Sequence, residues 1–504
     1  MSYLSFREIT DLVSRGDQTT AEEEARRWLV SPGPEAAVLG KVGAVFIDIG
    51  SYTGALGLVE EGVILTRQAR GLAPGTSLTY NLANGLSRLL PDSPEVVTTV
   101  TPDPALSEVL SLYYEAIDAA GDVRPEPSFN FASALLRAGR AIEGLDLARE
   151  TLTRHPEHGR GWAALGDMLW GVWAFYNRYP DLLQDAVAAY QRALVFEVDD
   201  LPFRDRLASN ITRAQRLLDE VRPHPHPDMD PARTVESLLL EHDPWDEQLE
   251  AFVWKSGLGL NLCSGCRVES PMAYDRYPLA GILVGPEAKE QADRTPAEVN
   301  VLLQGFIGAR SLLWLSRAQA TAPVEILSWP VTGLAFSRRS AFLAAAFRES
   351  YGVLDRIADL WNARLGIDAA GLYFDKLFFT KANKVLAFRS SVAWPDSVGL
   401  RALMYLSASF ERDNGRFNDL RASRNDLQHS LVLHGTLEGG RGWPWDTIAD
   451  DDLERRTFQL LRLVRAAILY CCEGLRSVEH EKRRRVKAEG AIVLDERGTG
   501  VNRS

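Results

Sequence analysis

The sequence predicts an all-α protein in two parts, an N-terminal array of helix pairs followed by a helical bundle. Apolar residues recur at helical spacing through most of the chain. Alternating β patterns are nearly absent, the exceptions lying around Val42 to Ile49 and Val324 to Leu334. Gly, Pro and Asp punctuate the chain up to residue 225 at intervals that suit paired helices. With 504 residues there is room for two or three domains, each large enough for its own core.

In the first part, weaker pairs are expected at Ala36 to Gln68 and Ser77 to Ala119, and a better one around Phe131 to Thr151. The clearest pair begins at Gly159. Trp162, Leu165 and Gly166 have the first-helix spacing of a tetratricopeptide repeat, and Ala186, Tyr190 and Ala193 that of the second. Small residues let such helices approach while aromatics fill the gap. The stretch Gly171 to Leu183 lengthens the first helix or its turn, so the repeat is degenerate. Phe203 to Leu218 suits the solvent-facing helix that closes such arrays.

Val221-Arg-Pro-His-Pro-His-Pro-Asp228 is the best boundary, because its prolines lack backbone donors and stop a helix. The parts on either side are residues 1–225 and 234–490. Beyond the boundary, Thr234 to Leu240 and Trp245 to Lys255 read as short helices, and Pro271 to Glu290 as irregular. Long helices follow at Thr295 to Ala318, Ser340 to Trp361 and Ala369 to Arg389, the last with the aromatics Tyr373, Phe374, Phe378 and Phe379. Ser397 to Glu411 and Asp452 to Ser477 flank one more helix and complete a bundle.

That further helix carries the chemistry. It opens after Asn414-Gly415 and runs through Arg421-Ala-Ser-Arg-Asn-Asp-Leu-Gln-His429 towards His434. At 100° per residue Leu420, Leu427 and Leu431 form one buried stripe, while Asn425 and His429, four apart, share a face well away from it. Arg424 lies between the two. An imidazole near its ordinary pKa of about 6.5 can exchange a proton with a ribose hydroxyl or a leaving oxygen. A guanidinium can hold a phosphate through two parallel hydrogen bonds. The same residues also occur as ordinary solvated helix positions. Arg421 is a further basic residue that can contact phosphate; Glu411 or Asp413 can orient His429 or pair with Arg424, but ordinary solvated turn residues are the better reading of both. His434 falls towards the leucine stripe, as a buried, hydrogen-bonded histidine would.

Other features exclude function classes. No phosphate-binding glycine loop, HExxH pair or Mg²⁺-type carboxylate cluster is present, so an ATPase, a metalloprotease and a two-metal nuclease are poor candidates. Cys263-Ser-Gly-Cys266 has metal-ligand spacing, but Cys471-Cys472 sits in an apolar helix and cannot aim both thiols at one ion. Two buried pairs are the better reading, and His224 and His226 read as linker residues. No metal or cofactor is expected. A net charge of −12 argues against coating nucleic acid through general electrostatics, though not against a small basic cleft. Lys482-Arg-Arg-Arg485 is one source of such charge or a solvated helix end. Four cysteines make no disulfide framework, and neither a secretory leader nor a membrane span is read from the sequence, so the expected compartment is the cytoplasm.

Arg424-Asn425 followed by His429, late in an all-helical domain, resembles the signature of the HEPN superfamily, an Arg, four to six residues, then a His. His242-Asp-Pro-Trp-Asp-Glu-Gln-Leu-Glu250, running into Asn261-Leu-Cys263, resembles the opening of a HEPN subgroup that follows tetratricopeptide-like repeats. The resemblance implies a dimerising domain that cuts RNA without a metal, as a toxin or antiviral effector, leaving 2′,3′-cyclic phosphate and 5′-hydroxyl ends. It assigns Arg424, Asn425 and His429 as catalytic, with two copies supplying the site at a homodimer interface. The repeats are then expected to bind a protein or peptide and regulate the enzyme. The alternative is a repeat scaffold whose HEPN-like bundle only binds RNA or a protein.

Overall fold

The computed structural model describes residues 4–30, 35–91, 98–120, 125–176, 179–196, 201–221, 244–262, 275, 289–318, 327–329, 334–367, 369–382, 385–411, 415–429, 433–435 and 447–488. The protein is all-α, and strand among these residues is confined to three two-stranded sheets. Thr234 to Leu240, most of Pro271 to Glu290 and the proline-rich boundary after Val221 lie outside the described residues.

The first half is a succession of helices. Ser5 opens α1 (Phe6–Ser14) by accepting from the Glu8 N–H while the Glu8 carboxylate accepts from the Ser5 N–H, which satisfies two donors at the helix start. Asp17 caps α2 (Gln18–Leu29) in the simpler way. There follow α3 (Ala36–Thr53) and α4 (Leu56–Leu72), α5 (Thr76–Leu89) and α6 (Pro104–Ala120), then α7 (Glu126–Arg137) and α8 (Ala141–Arg154). Next come α9 (Gly159–Phe175), α10 (Pro180–Phe196) and α11 (Leu201–Val221). Each of the pairs α3–α4, α5–α6 and α7–α8 packs within itself, and α4–α5 and α6–α7 join one pair to the next.

The expected pairs are therefore present, and the lengthened one is accounted for by an α9 that continues to Phe175 before α10 starts at Pro180. Gly166 shows why its spacing matters. A Cβ there would stand 2.4 Å from Cε1 of Tyr190, so only glycine lets that ring lie flat on the helix. The Tyr190 hydroxyl then reaches Asp167 and donates at 2.8 Å. Val42 to Ile49, read as alternating, is helical. Val42, Val45, Phe46 and Ile49 bury themselves against Ile9, Ala21 and Ala25, a helical period that the valine and isoleucine content had masked.

The second half is built on two long helices, α13 (Lys289–Ala318) and α14 (Arg338–Leu365), preceded by α12 (Pro244–Ser256). Between them β1 (Leu327–Trp329) and β2 (Leu334–Phe336) pair antiparallel with Ser328 opposite Ala335, in the segment where the sequence showed alternation. The C-terminal helix α17 (Asp450–Ala488) packs along α13 and α14, and α15 (Val398–Ala408) packs on α17. Trp361, Phe347, Leu354, Leu403, Leu461 and Tyr470 are among the residues these helices bury. Helix was expected over Ala369 to Arg389, and the structure corrects this. Gly366, at φ +59°, ends α14; a 3₁₀ turn spans Phe374–Lys376, and β3 (Phe379–Ala382) pairs antiparallel with β4 (Val385–Phe388). Phe379 faces Phe388 across the hairpin with ring centroids 6.1 Å apart, and Phe378 lies 4.5 Å from Trp394. A short aromatic run satisfies helix and strand periodicity alike, and cross-strand ring contacts decide for the strand.

The chain divides into two compact units. One comprises Met1–Val97, Pro102–Met168 and Ala189–Leu207; the other comprises Thr98–Thr101, Leu169–Ala188 and Ala208–Ser504. Within the second unit the short segment Thr98–Thr101 meets α15. The Ser397 N–H donates to the Thr98 carbonyl at 2.8 Å, and Nη1 of Arg401 donates to the Thr99 carbonyl at 2.8 Å. Arg401 is buried, its guanidinium 5.2 Å above the Tyr405 ring. Two helices, Ala36–Thr53 and Thr295–Ala318, are long and apolar enough to cross a membrane by length and composition, with 50% and 44% of these windows buried inside the protein.

Two glycines separate packing from propensity. Gly166→Ala should destabilise the protein by about 1–3 kcal/mol through overpacking against Tyr190. Gly308→Ala, with nothing within 4 Å of its Cβ on α13, should stabilise it by about 1 kcal/mol. Thermal denaturation of both variants reads the two signs, and equal signs would refute the close approach.

Candidate nucleic-acid site

The site is built from a helix, a turn and an aromatic floor. The helix is α16 (Asn418–His429). Its approach is tightly folded, with the Gly415 N–H donating to the Glu411 carbonyl at 2.9 Å and the Phe417 N–H to the Ser409 carbonyl at 2.7 Å. A Cβ on Gly415 would meet the Glu411 carbonyl oxygen at 2.3 Å, so this turn requires glycine. Leu420, Ser423 and Leu427 are buried on one face, as the leucine spacing implies. The Ser423 hydroxyl, which donates to the Asp419 carbonyl, accepts from Nη1 of Arg456 on α17 at 2.7 Å.

Beneath α16 lie Tyr351 of α14, Phe374, Phe410 and Phe417, all buried. Phe410 sits edge-on to Tyr351 and to Phe374, with centroids 5.8 and 5.9 Å away. Arg424 closes this floor. Its guanidinium carbon is 4.8 Å from the Tyr351 centroid and 4.6 Å from that of Tyr373, and its Nη2 donates to Oδ2 of Asp355 at 2.6 Å. One turn earlier, Arg421 pairs with the buried Asp375 at 3.2 Å. Two successive arginines on one helix thus meet two carboxylates, one on α14 and one in the 3₁₀ turn.

Asp355 does more than neutralise Arg424. Its other oxygen, Oδ1, accepts from the Phe374 N–H at 3.3 Å, so one carboxylate fixes both α16 and the turn that carries Tyr373. Burial is the main cause that raises the Asp355 carboxyl to about 6. Arg424 and the Phe374 N–H pull it down, while Asp375 and Asp359 add to the rise. Burial likewise pushes the Tyr351 hydroxyl up, with Asp375 and Asp355 reinforcing it. Both effects mark a partly buried corner, where a charge is costly and its partner correspondingly important.

Of the three residues assigned from sequence, Arg424 is the one held in this network. Asn425, next to it, is exposed and faces away from the buried stripe. His429 is the last residue of α16, and its side chain lies outside the described residues. The helix was expected to continue to His434; instead β5 (Leu433–Gly435) pairs in parallel with β6 (Thr447–Ala449), placing His434 opposite Ile448. The run Leu431-Val-Leu is apolar without helical spacing, and Gly435 weakens helix further. Glu411 is buried and Asp413 lies outside the described residues.

Sequence reading missed Tyr351, Asp355 and Tyr373. Tyr351 and Asp355 stand four apart on α14, the first buried and the second half-buried. A carboxylate there among apolar neighbours was the available signal, but its partner lies 69 residues away. Cys263 and Cys266 lie outside the described residues, and Cys471 and Cys472 are buried in α17. Burial pushes the Cys471 thiol up to about 12, far from the range where a thiolate ligand forms readily. Among the described residues no group of three or more His, Cys, Asp or Glu is arranged to hold a metal.

The C-terminal helical bundle is a HEPN-like domain. Residues 287–477 match the LA2681-like HEPN family, a stretch that includes Tyr351, Asp355, Tyr373, Arg424, Asn425 and His429. Among solved structures, the crystal structure of MamA protein is 15% identical over 38% of this chain and 90% of its own, with a TM-score of 0.26. MamA 41-end from Desulfovibrio magneticus RS-1 is 12% identical over 35% of this chain and 96% of its own, with a TM-score of 0.23. No curated protein matches the chain.

The raised Asp355 carboxyl has a measurable consequence. Its folded value lies above the unfolded value of about 3.9, so the folded protein holds the proton more tightly. Through this group the fold therefore gains stability as pH falls from 6 towards 4, and loses that gain as pH rises through 6. Asp355→Asn cannot titrate. Wild type should gain on the variant between pH 7 and pH 4.5, by at most about 2–3 kcal/mol. Thermal denaturation of both proteins across that range tests it, and a difference that does not change with pH would refute the assignment.

Proposed function

We propose that this protein is a metal-independent endoribonuclease, with Arg424 clamping the scissile phosphate, His429 as general acid or base, and Asn425 positioning one of them. The carrying observation is that Arg424 is preorganised by Asp355 and two tyrosines inside a domain that matches a HEPN family. A guanidinium already fixed in place loses little freedom on meeting a phosphate. The attacking group would be the neighbouring ribose 2′-hydroxyl. The products would then be 2′,3′-cyclic phosphate and 5′-hydroxyl ends, and DNA would resist for want of that hydroxyl.

One copy offers one imidazole and one motif guanidinium. A homodimer through the HEPN-like domain, residues 234–490, would supply one histidine for each reacting oxygen. The helical repeats, residues 1–225, would bind a protein or peptide that sets when the enzyme acts, as befits a toxin or antiviral effector. A cytoplasmic location and independence from membranes belong to the same reading.

The second reading, RNA binding without cleavage, has its own support. Asp355 already holds Nη2 of Arg424, and an ion pair of this kind can steady the bundle without serving a transition state. One experiment separates the two. Wild type, Arg424→Ala and His429→Ala are incubated with mixed cellular RNA in EDTA. Loss of acid–base catalysis should cost ~10²–10⁴ in rate, leaving His429→Ala nearly silent while still folded. Binding without cleavage by wild type would select the second reading; equal cleavage by all three proteins would remove the residue assignment.

A further inference from the structure

Tyr373 is set apart from the aromatics around it. Leu372 and Phe374, its chain neighbours, are buried, whereas Tyr373 is 42% exposed. Its backbone is nevertheless fixed. The Lys376 N–H donates to the Tyr373 carbonyl at 2.9 Å, and the following N–H, that of Phe374, is held by Asp355. The turn takes no side-chain hydrogen bond from Tyr373, whose ring packs against the Arg424 guanidinium and keeps the rest of its surface exposed. Two cations lie over it, the Arg424 guanidinium at 4.6 Å and the ammonium of the exposed Lys376 at 5.3 Å from the centroid.

An exposed aromatic on a fixed backbone, beside a half-buried arginine and an exposed lysine, matches what single-stranded nucleic acid needs. Every base has a π face that stacks on an aromatic ring, while the adjoining phosphates meet the cations. Duplex RNA cannot use such a platform, because its bases are already stacked on one another. Arg424 alone cannot distinguish a single strand from a duplex, since both present the same phosphate. A ring next to it can.

We infer that Tyr373 is a stacking platform for one unpaired base, next to the phosphate held by Arg424 and Lys376, and that it directs this site to single-stranded RNA. The inference rests on the RNA-acting reading above, and adds to it which form of RNA is taken and which residue selects it. Tyr373 contributes its ring rather than its hydroxyl, so phenylalanine should replace it and alanine should not.

The test uses the full chain and a fluorescent single-stranded RNA carrying 2′-O-methyl groups, which lacks the attacking hydroxyl and stays intact. Anisotropy is read for wild type, Tyr373→Phe and Tyr373→Ala, each with the intact oligonucleotide and with a series lacking one base at successive positions. Tyr373→Ala should weaken binding about tenfold or more, and Tyr373→Phe about twofold or less. At one position, removing the base should weaken wild type comparably and leave Tyr373→Ala unchanged, because the two losses are of one interaction. A merely structural ring would make Tyr373→Ala lose affinity equally for every oligonucleotide, and that result would overturn the inference, as would unchanged binding by Tyr373→Ala. Wild type that binds no RNA would instead remove the RNA-acting reading and this inference with it. Wild type that binds a matched duplex as tightly as the single strand would overturn the selectivity alone.

Discussion

The site depends on one carboxylate. Asp355 receives the Arg424 guanidinium on one oxygen and the Phe374 N–H on the other, so a helix, a turn and the long α14 meet at a single group. Phe374 and Phe410 are buried beneath it, and partial burial is the main cause that raises its carboxyl. Charge in a partly buried corner is unfavourable by itself. It persists here because the guanidinium opposite is also spread over two tyrosine rings, an arrangement lysine could not reproduce.

The neighbouring contacts give this corner its rigidity. Arg421 and Asp375 repeat the cation-to-carboxylate pattern one turn away, and Ser423 links the buried face of α16 to Arg456. The motif helix is thus fixed along its length, by leucines on one side and by ion pairs at its edge. Among its described side chains, Asn418, Asp419, Ala422 and Asn425 are the exposed ones. A site assembled on such a helix gains its precision from residues that never touch a substrate.

Much of this was legible in the sequence for a physical reason. Leu420 and Leu427 announced the buried face of α16 because a 3.6-residue period has one inward side. Gly166 and Tyr190 announced a close helix pair because only glycine admits a ring there. The hairpin at Phe379 to Phe388 was not legible, since its strands are too short for a period to show and their stability lies in rings that meet across the turn. Asp355 was not legible as a site residue either. Its role exists only once α14, the Tyr373 turn and α16 are side by side, and no local pattern encodes that meeting.

The small segment Thr98–Thr101 has a different kind of consequence. It lies between α5 and α6, yet it completes the unit that contains α15, and Arg401 reaches a carbonyl 302 positions earlier in the chain. A fragment that begins at the proline-rich segment lacks the Thr99 and Thr101 carbonyls that accept from the buried Arg401. The same topology orders events at the ribosome. The four residues are made long before α15, and closing a loop of this length carries a large entropic cost. The N-terminal cap of the helix that leads into the motif, Ser397, is thus tied to a residue that precedes it by almost three hundred positions.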